Sequence, residues 1–117
     1  NGNVGVCTGT TFESQLKSMS NIKTITQFSS DVDNFMALKD ERINGLVTSR
    51  FVGLKNADKF DAQAIGPLLF TEKIGIAVRK DDTDLLNEIN KALKEIENDG
   101  TYGKISNKWF STNILEH

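Results

Sequence analysis

The sequence predicts an α/β fold, an open sheet of about five strands flanked by helices. Two observations predict it. Apolar residues switch repeatedly between strand spacing and helix spacing along the chain. Hydroxyl residues followed three positions later by an acid, Thr10 with Glu13 and Ser30 with Asp33, mark helix starts directly after strand-like runs. The resulting order, βαβαβα, then two strands, then two helices, buries an open sheet under helices.

Each element follows from its residues. Val4-Gly5-Val6 is a short apolar strand, and Phe12, Leu16 and Met19 then recur on one helical face that opens at the Thr10 cap. Residues 22–28 are rich in β-branched side chains and form a second strand. Ser30 opens a second helix whose Val32, Phe35, Met36 and Lys39 share a face, and residues 43–48 make the third strand. A short helix runs through Phe51, Leu54 and Phe60. Residues 62–69 hold the single proline, Pro67, which places that strand at an edge or breaks it there. Residues 73–79 (Lys-Ile-Gly-Ile-Ala-Val-Arg) give the clearest strand pattern. Thr83 is expected to cap a long helix carrying Leu86, Ile89, Ala92, Leu93 and Ile96, stopped by Gly100. A last helix presents Tyr102, Ile105, Trp109 and Phe110. Residues 1–114 are expected to form one domain, an α/β core over 4–79 followed by helices over 83–110. The final Leu115-Glu116-His117 reads as a cloning-derived tag remnant and is left out of the fold.

Composition narrows the function classes. With 117 residues, 26% charged and a net charge of -2, the chain is ordinary for a globular protein. Its lysines are scattered among acids, so no basic stripe for nucleic acid exists. No apolar run approaches the roughly 18 residues of a membrane span. The single cysteine, Cys7, allows no internal disulfide, and the single histidine lies at position 117, so neither a His/Cys metal site nor a Cys–His nucleophile is expected. The chain starts directly on a strand pattern without a signal peptide, as an excised or processed chain would.

In an open α/β sheet, ligands sit beyond the carboxyl ends of the strands. Two such ends are polar here. Cys7-Thr8-Gly9-Thr10-Thr11 follows the first strand, and Thr48-Ser49-Arg50 follows the third. Hydroxyls, helix-terminal amides and a guanidinium together suit a small carboxylate, since the Arg fork donates two parallel bonds. The candidate ligand-binding residues are Thr10, Thr11, Thr48, Ser49 and Arg50. The plain alternative is that Thr10 only caps its helix and Arg50 is an ordinary solvated residue. The Gly-Thr-Thr turn is not a phosphate loop, because no Lys follows the glycines. Asp81, Asp82 and Asp84 complement a helix dipole, and Lys91, Lys94, Glu95 and Glu97 form a solvated helix face.

Several stretches, taken in order, carry a family resemblance. They are Val4-Gly5-Val6 with Gly9-Thr10-Thr11, Ala37-Leu38-Lys39 and Arg42-Ile43-Asn44-Gly45-Leu46-Val47. They continue in Gly75-Ile76-Ala77-Val78-Arg79-Lys80, Asn90-Lys91-Ala92-Leu93, and Asp99-Gly100-Thr101-Tyr102 with Lys108-Trp109-Phe110. Over nearly the whole chain they resemble the bacterial extracellular solute-binding proteins of family 3. These polar amino-acid periplasmic binding proteins feed ABC importers and have the type II Venus-flytrap fold. The resemblance implies that 4–79 is the second lobe, with 73–79 crossing back, and that the first lobe is absent from this chain. It places Thr11 at a hydroxyl and amide contact to a ligand carboxylate. It places Ser49 where most relatives carry an aspartate for the α-amino group, and serine brings no charge. Cys7 falls where some relatives carry a polar ligand-facing residue.

The implied function is capture of a small polar solute, an amino acid or small carboxylate, by closure of two lobes. Hinge strands near Val4 and Ile76 would absorb the motion, and closure would present a surface to an ABC permease. The implied location is periplasmic or extracellular, membrane-associated in the parent protein. No catalysis, cofactor or metal is expected. The apolar faces of the last two helices are expected to fold back on the sheet or to dock on a second copy as a homodimer. Two other readings share the fold: the ligand-sensing flytrap domain of a membrane receptor or kinase, and a dehydratase of prephenate or arogenate type.

Overall fold

The computed structural model describes residues 2–115, in two compact units, one ending at Leu69 and one beginning at Phe70. The first unit runs β1 (Asn3–Cys7), α1 (Thr11–Ser18), β2 (Thr24–Phe28), α2 (Asp31–Lys39), β3 (Gly45–Val47) and α3 (Arg50–Ala57), closing on a 3-10 turn at Asp58–Phe60. The sheet order is β2-β1-β3 and both pairings are parallel, with Val6 opposite Gln27 on one side and Val47 on the other. Parallel neighbours need crossover connections, which α1 and α2 supply.

The two helices lie on opposite faces of the sheet. Side chains alternate along a strand. Gly5 faces Asn34 of α2, whereas Gln27, paired with the next residue of β1, donates to the Glu13 carboxylate of α1. A Cβ on Gly5 would stand 2.1 Å from Asn34 Oδ1 and 2.5 Å from Ile43 Cδ1, so α2 approaches β1 more closely than any side chain would permit. Val6, Leu16, Phe35, Ala37, Ile43 and Phe60 form the buried core. Burying a large apolar side chain of this kind contributes about 1.5–3 kcal/mol. Asn3 ties the starts of all three strands. Its N–H donates to Asn44 Oδ1 at 2.8 Å, its Oδ1 accepts from Thr26 at 2.7 Å, and its amide reaches Arg42 O at 3.4 Å.

The α/β class holds, with differences in detail. Three strands pair among the described residues rather than about five. Residues 62–69 and 73–79 run as irregular chain, leaving Ile74 94% exposed. A strand exists only where a neighbour closes its hydrogen-bond ladder, and a β-branched composition marks capacity to pair, not the presence of that neighbour. The buried face of α2 is also turned from the expected one. Asn34, Phe35 and Ala37 are buried while Val32 and Met36 are exposed, because Phe35 stacks on Phe60 at 5.3 Å and Gly5 admits Asn34.

The second unit is an α-hairpin of α4 (Thr83–Asn98) and α5 (Thr101–Phe110). Asp82, not Thr83, takes the N-cap position of α4, and its carboxylate pairs with Arg79 at 3.2 Å instead of capping. The end of α4 is as the sequence predicts: Gly100 takes φ +81, and Asp99 Oδ1 accepts the Thr101 N–H at 2.8 Å. Buried Ser106 pins the segment after α5, donating to Thr112 O at 2.6 Å and accepting from Ile114 N at 2.9 Å. Of the expected tag remnant, Glu116 and His117 lie outside the described residues.

Candidate functional site

The carboxyl ends of the three strands lie along one edge of the sheet, and each leads into a helix capped by a hydroxyl. Thr10, Ser30 and Ser49 accept from the N–H groups of Glu13, Asp33 and Val52 at 3.3, 3.1 and 3.2 Å respectively. In the order β2-β1-β3, the chain leaves β1 outward to β2 and then returns past β1 to β3, which makes the gap between β1 and β3 the topological switch point. The two polar stretches singled out in the sequence, 8–11 and 48–50, follow these two strands and so flank that gap.

The five candidate residues occupy distinct roles there. Thr10 is engaged twice, capping α1 and donating to Cys7 O at 2.8 Å. Thr11 is the first helical residue of α1 and is exposed. Thr48 donates its hydroxyl to Asp31 Oδ1 at 2.9 Å. Ser49 caps α3, and because its oxygen is the acceptor in that bond, its own proton remains available to donate. Arg50 opens α3 and is exposed, with no ion pair among the described residues.

The two helix starts beside the gap differ electrostatically. At α1 the partial positive charge is already met by Glu13. Its carboxylate accepts the Gly9 N–H at 2.7 Å and also bonds Lys17 and Gln27. The Lys17 bond first, then the Gly9 N–H, holds the Glu13 carboxyl below the usual carboxylate range, against the opposing effect of burial. At α3 no acid lies in the first turn, and Arg50 adds a positive charge to the positive end of the helix. That end favours an anion.

Sequence reasoning missed two residues at this edge. Glu13 was legible as the acid of a capping box, but its carboxylate reaches one residue further back, to Gly9 rather than Thr10. Asp31, half-buried at the head of α2, gave no signal, since its bond to Thr48 joins residues 17 positions apart. Among the described residues no group of three or more His, Cys, Asp or Glu side chains is placed to hold a metal ion. No helix among them is long and apolar enough to cross a membrane.

A parallel α/β lobe with polar loops at its switch point belongs to the class of ligand-binding α/β proteins. Within that class the chain belongs to the bacterial extracellular solute-binding proteins, family 3, whose family model matches residues 7–112. It is 30% identical over 115 residues to the L-cystine-binding protein TcyJ of Escherichia coli K12, covering 97% of this chain and 43% of that protein. An ancestral arginine-binding protein bound to glutamine has a similar structure, with TM-score 0.80 and 37% identity over 93% of this chain and 50% of its own. The ancestral amino acid-binding protein AncCDT-1, a precursor of cyclohexadienyl dehydratase, gives TM-score 0.79 and 35% identity over 92% of this chain and 46% of its own. The chain thus spans about half the length of the relatives it matches.

Proposed function

We propose that this chain is the second lobe of a two-lobed amino-acid-binding protein that serves an ABC importer outside the cytoplasmic membrane. The observation that carries the reading is the pairing of the 8–11 and 48–50 loops across the β1/β3 switch point, within a family of solute-binding proteins. On this reading the carboxylate of a small solute lies between the head of α1, at Thr10 and Thr11, and the electropositive start of α3, at Ser49 and Arg50. Thr48 shapes the loop through its bond to Asp31. A first lobe outside this chain completes the pocket, and closure of the two lobes presents a surface to the permease.

The likeness to a dehydratase precursor favours a second reading, catalysis on the same fold. It has weaker support here. Elimination needs a general acid or base in the cleft, and the curated relative that matches 97% of this chain is by its name an L-cystine-binding protein. A calorimetric and thermal-shift screen of the two-lobed protein against L-amino acids and small carboxylates tests the proposal. Saturable binding of an unchanged ligand is expected. Turnover of a cyclohexadienyl substrate, with no amino acid bound, would overturn it.

A further inference from the structure

An amino acid at neutral pH carries a carboxylate and an ammonium, so a site that holds one needs a positive seat and a negative one. The positive seat is described above: the start of α3 with Arg50. Within this chain the negative seat would be a carboxylate beside the same gap. Three acids follow the strand ends closely enough to be considered. Glu13 is buried and held by Gly9, Lys17 and Gln27. Asp33 accepts from the hydroxyls of Ser29 and Ser30, at 3.2 and 2.8 Å, and its carboxylate is committed to the start of α2. Asp31 differs from both. Its Oδ1 accepts from Thr48, which draws the carboxylate toward the loop that carries Ser49 and Arg50, and its Oδ2 has no bond among the described residues.

We propose that Asp31, oriented by Thr48, supplies the negative charge that holds the ammonium of the ligand, and so sets the preference of this site for α-amino acids over plain carboxylates. This rests on the solute-binding reading above and adds to it the residue that recognises the nitrogen. Ser49 then needs no charge of its own. It contributes a hydroxyl while the acid reaches in from α2. Half-burial strengthens the interaction, because a carboxylate partly withdrawn from water competes better for a cation than an exposed one. The Thr48 hydroxyl fixes the direction of the carboxylate by donating to its Oδ1.

The test uses the two-lobed protein, with L-arginine, L-glutamine and L-cystine as calorimetric probes, and for each bound probe its analogue lacking the α-amino group. Asp31→Asn keeps an oxygen for Thr48, removes the charge and turns the second oxygen into an amide donor. It is expected to weaken the bound amino acid by about 10- to 100-fold, the loss of one charge-assisted hydrogen bond. The desamino analogue should bind wild type and variant alike. Thr48→Val, which frees the carboxylate to rotate, should give a smaller loss. Amino-acid binding unchanged by Asp31→Asn would overturn this assignment while leaving the solute-binding reading intact. Equal weakening of amino acid and desamino analogue would overturn it too, as the mark of a merely structural role. Failure of wild type to bind any of the three amino acids would overturn both.

Discussion

Gly5 and Asn34 show how tightly one residue can constrain its neighbour. The Asn34 side chain is fully buried, yet neither Nδ2 nor Oδ1 has a hydrogen-bond partner among the described residues, and the space it fills exists only because residue 5 has no side chain. Gly5→Ala is therefore expected to destabilise the first unit by about 1–3 kcal/mol, the usual cost of forcing extra volume into a packed interior. Urea denaturation followed by circular dichroism would measure it. Adding Asn34→Ala should recover part of the loss but not all, since Ile43 Cδ1 also stands in the way at 2.5 Å. Strict additivity of the two changes would show that residues 5 and 34 do not compete for the same space.

Among the elements, α1 has the start most strongly held by charge. Glu13 joins the turn after β1, the body of α1 and the neighbouring strand β2, through Gly9, Lys17 and Gln27. Its carboxyl titrates below the ordinary range in the folded state, and so does that of Asp99, which accepts both the hydroxyl and the N–H of Thr101. For acids whose folded value is depressed, the stabilisation is complete above the unfolded value, near pH 4, and is lost as pH falls through the folded value. Thermal unfolding between pH 7 and pH 2 should show this acid loss, and Glu13→Gln should flatten the share that belongs to the first unit. An unchanged acid limb in that variant would remove Glu13 from the account.

The starts of α1 and α2 were legible because a hydroxyl–acid pair acts within one turn, and the capping bonds it makes are local. The segments 62–69 and 73–79 read as strands for an equally local reason, and that reason was insufficient. Val, Ile and Ala in alternation cannot report whether an edge is available at the other end of a ladder. The same limit separates Thr10 and Ser49, visible as hydroxyls at helix starts, from Asp31, whose significance depends on a contact made only after α2 has crossed the sheet.

At the scale of the molecule, each unit exposes large apolar side chains: Leu68 and Leu69 in the first, and Ile76, Ile105, Ile74 (94% exposed) and Trp109 (70% exposed) in the second. Side chains of this kind in such number call for a covering surface. The 117-residue chain taken alone is expected to self-associate as concentration rises in sedimentation velocity runs, and Ile74→Lys with Trp109→Ser should return it toward a monomer. A wild-type chain that stays monomeric throughout would show that these residues need no partner. The cap at position 49 has a different consequence, one for the history of the family rather than for its stability. Serine and aspartate cap a helix about equally well, so exchanging one for the other leaves α3 in place while changing the charge beside the switch point by a full unit. A lineage could drift between neutral and acidic forms of this site without passing through an unstable ancestor, and the choice of solute would be free to follow.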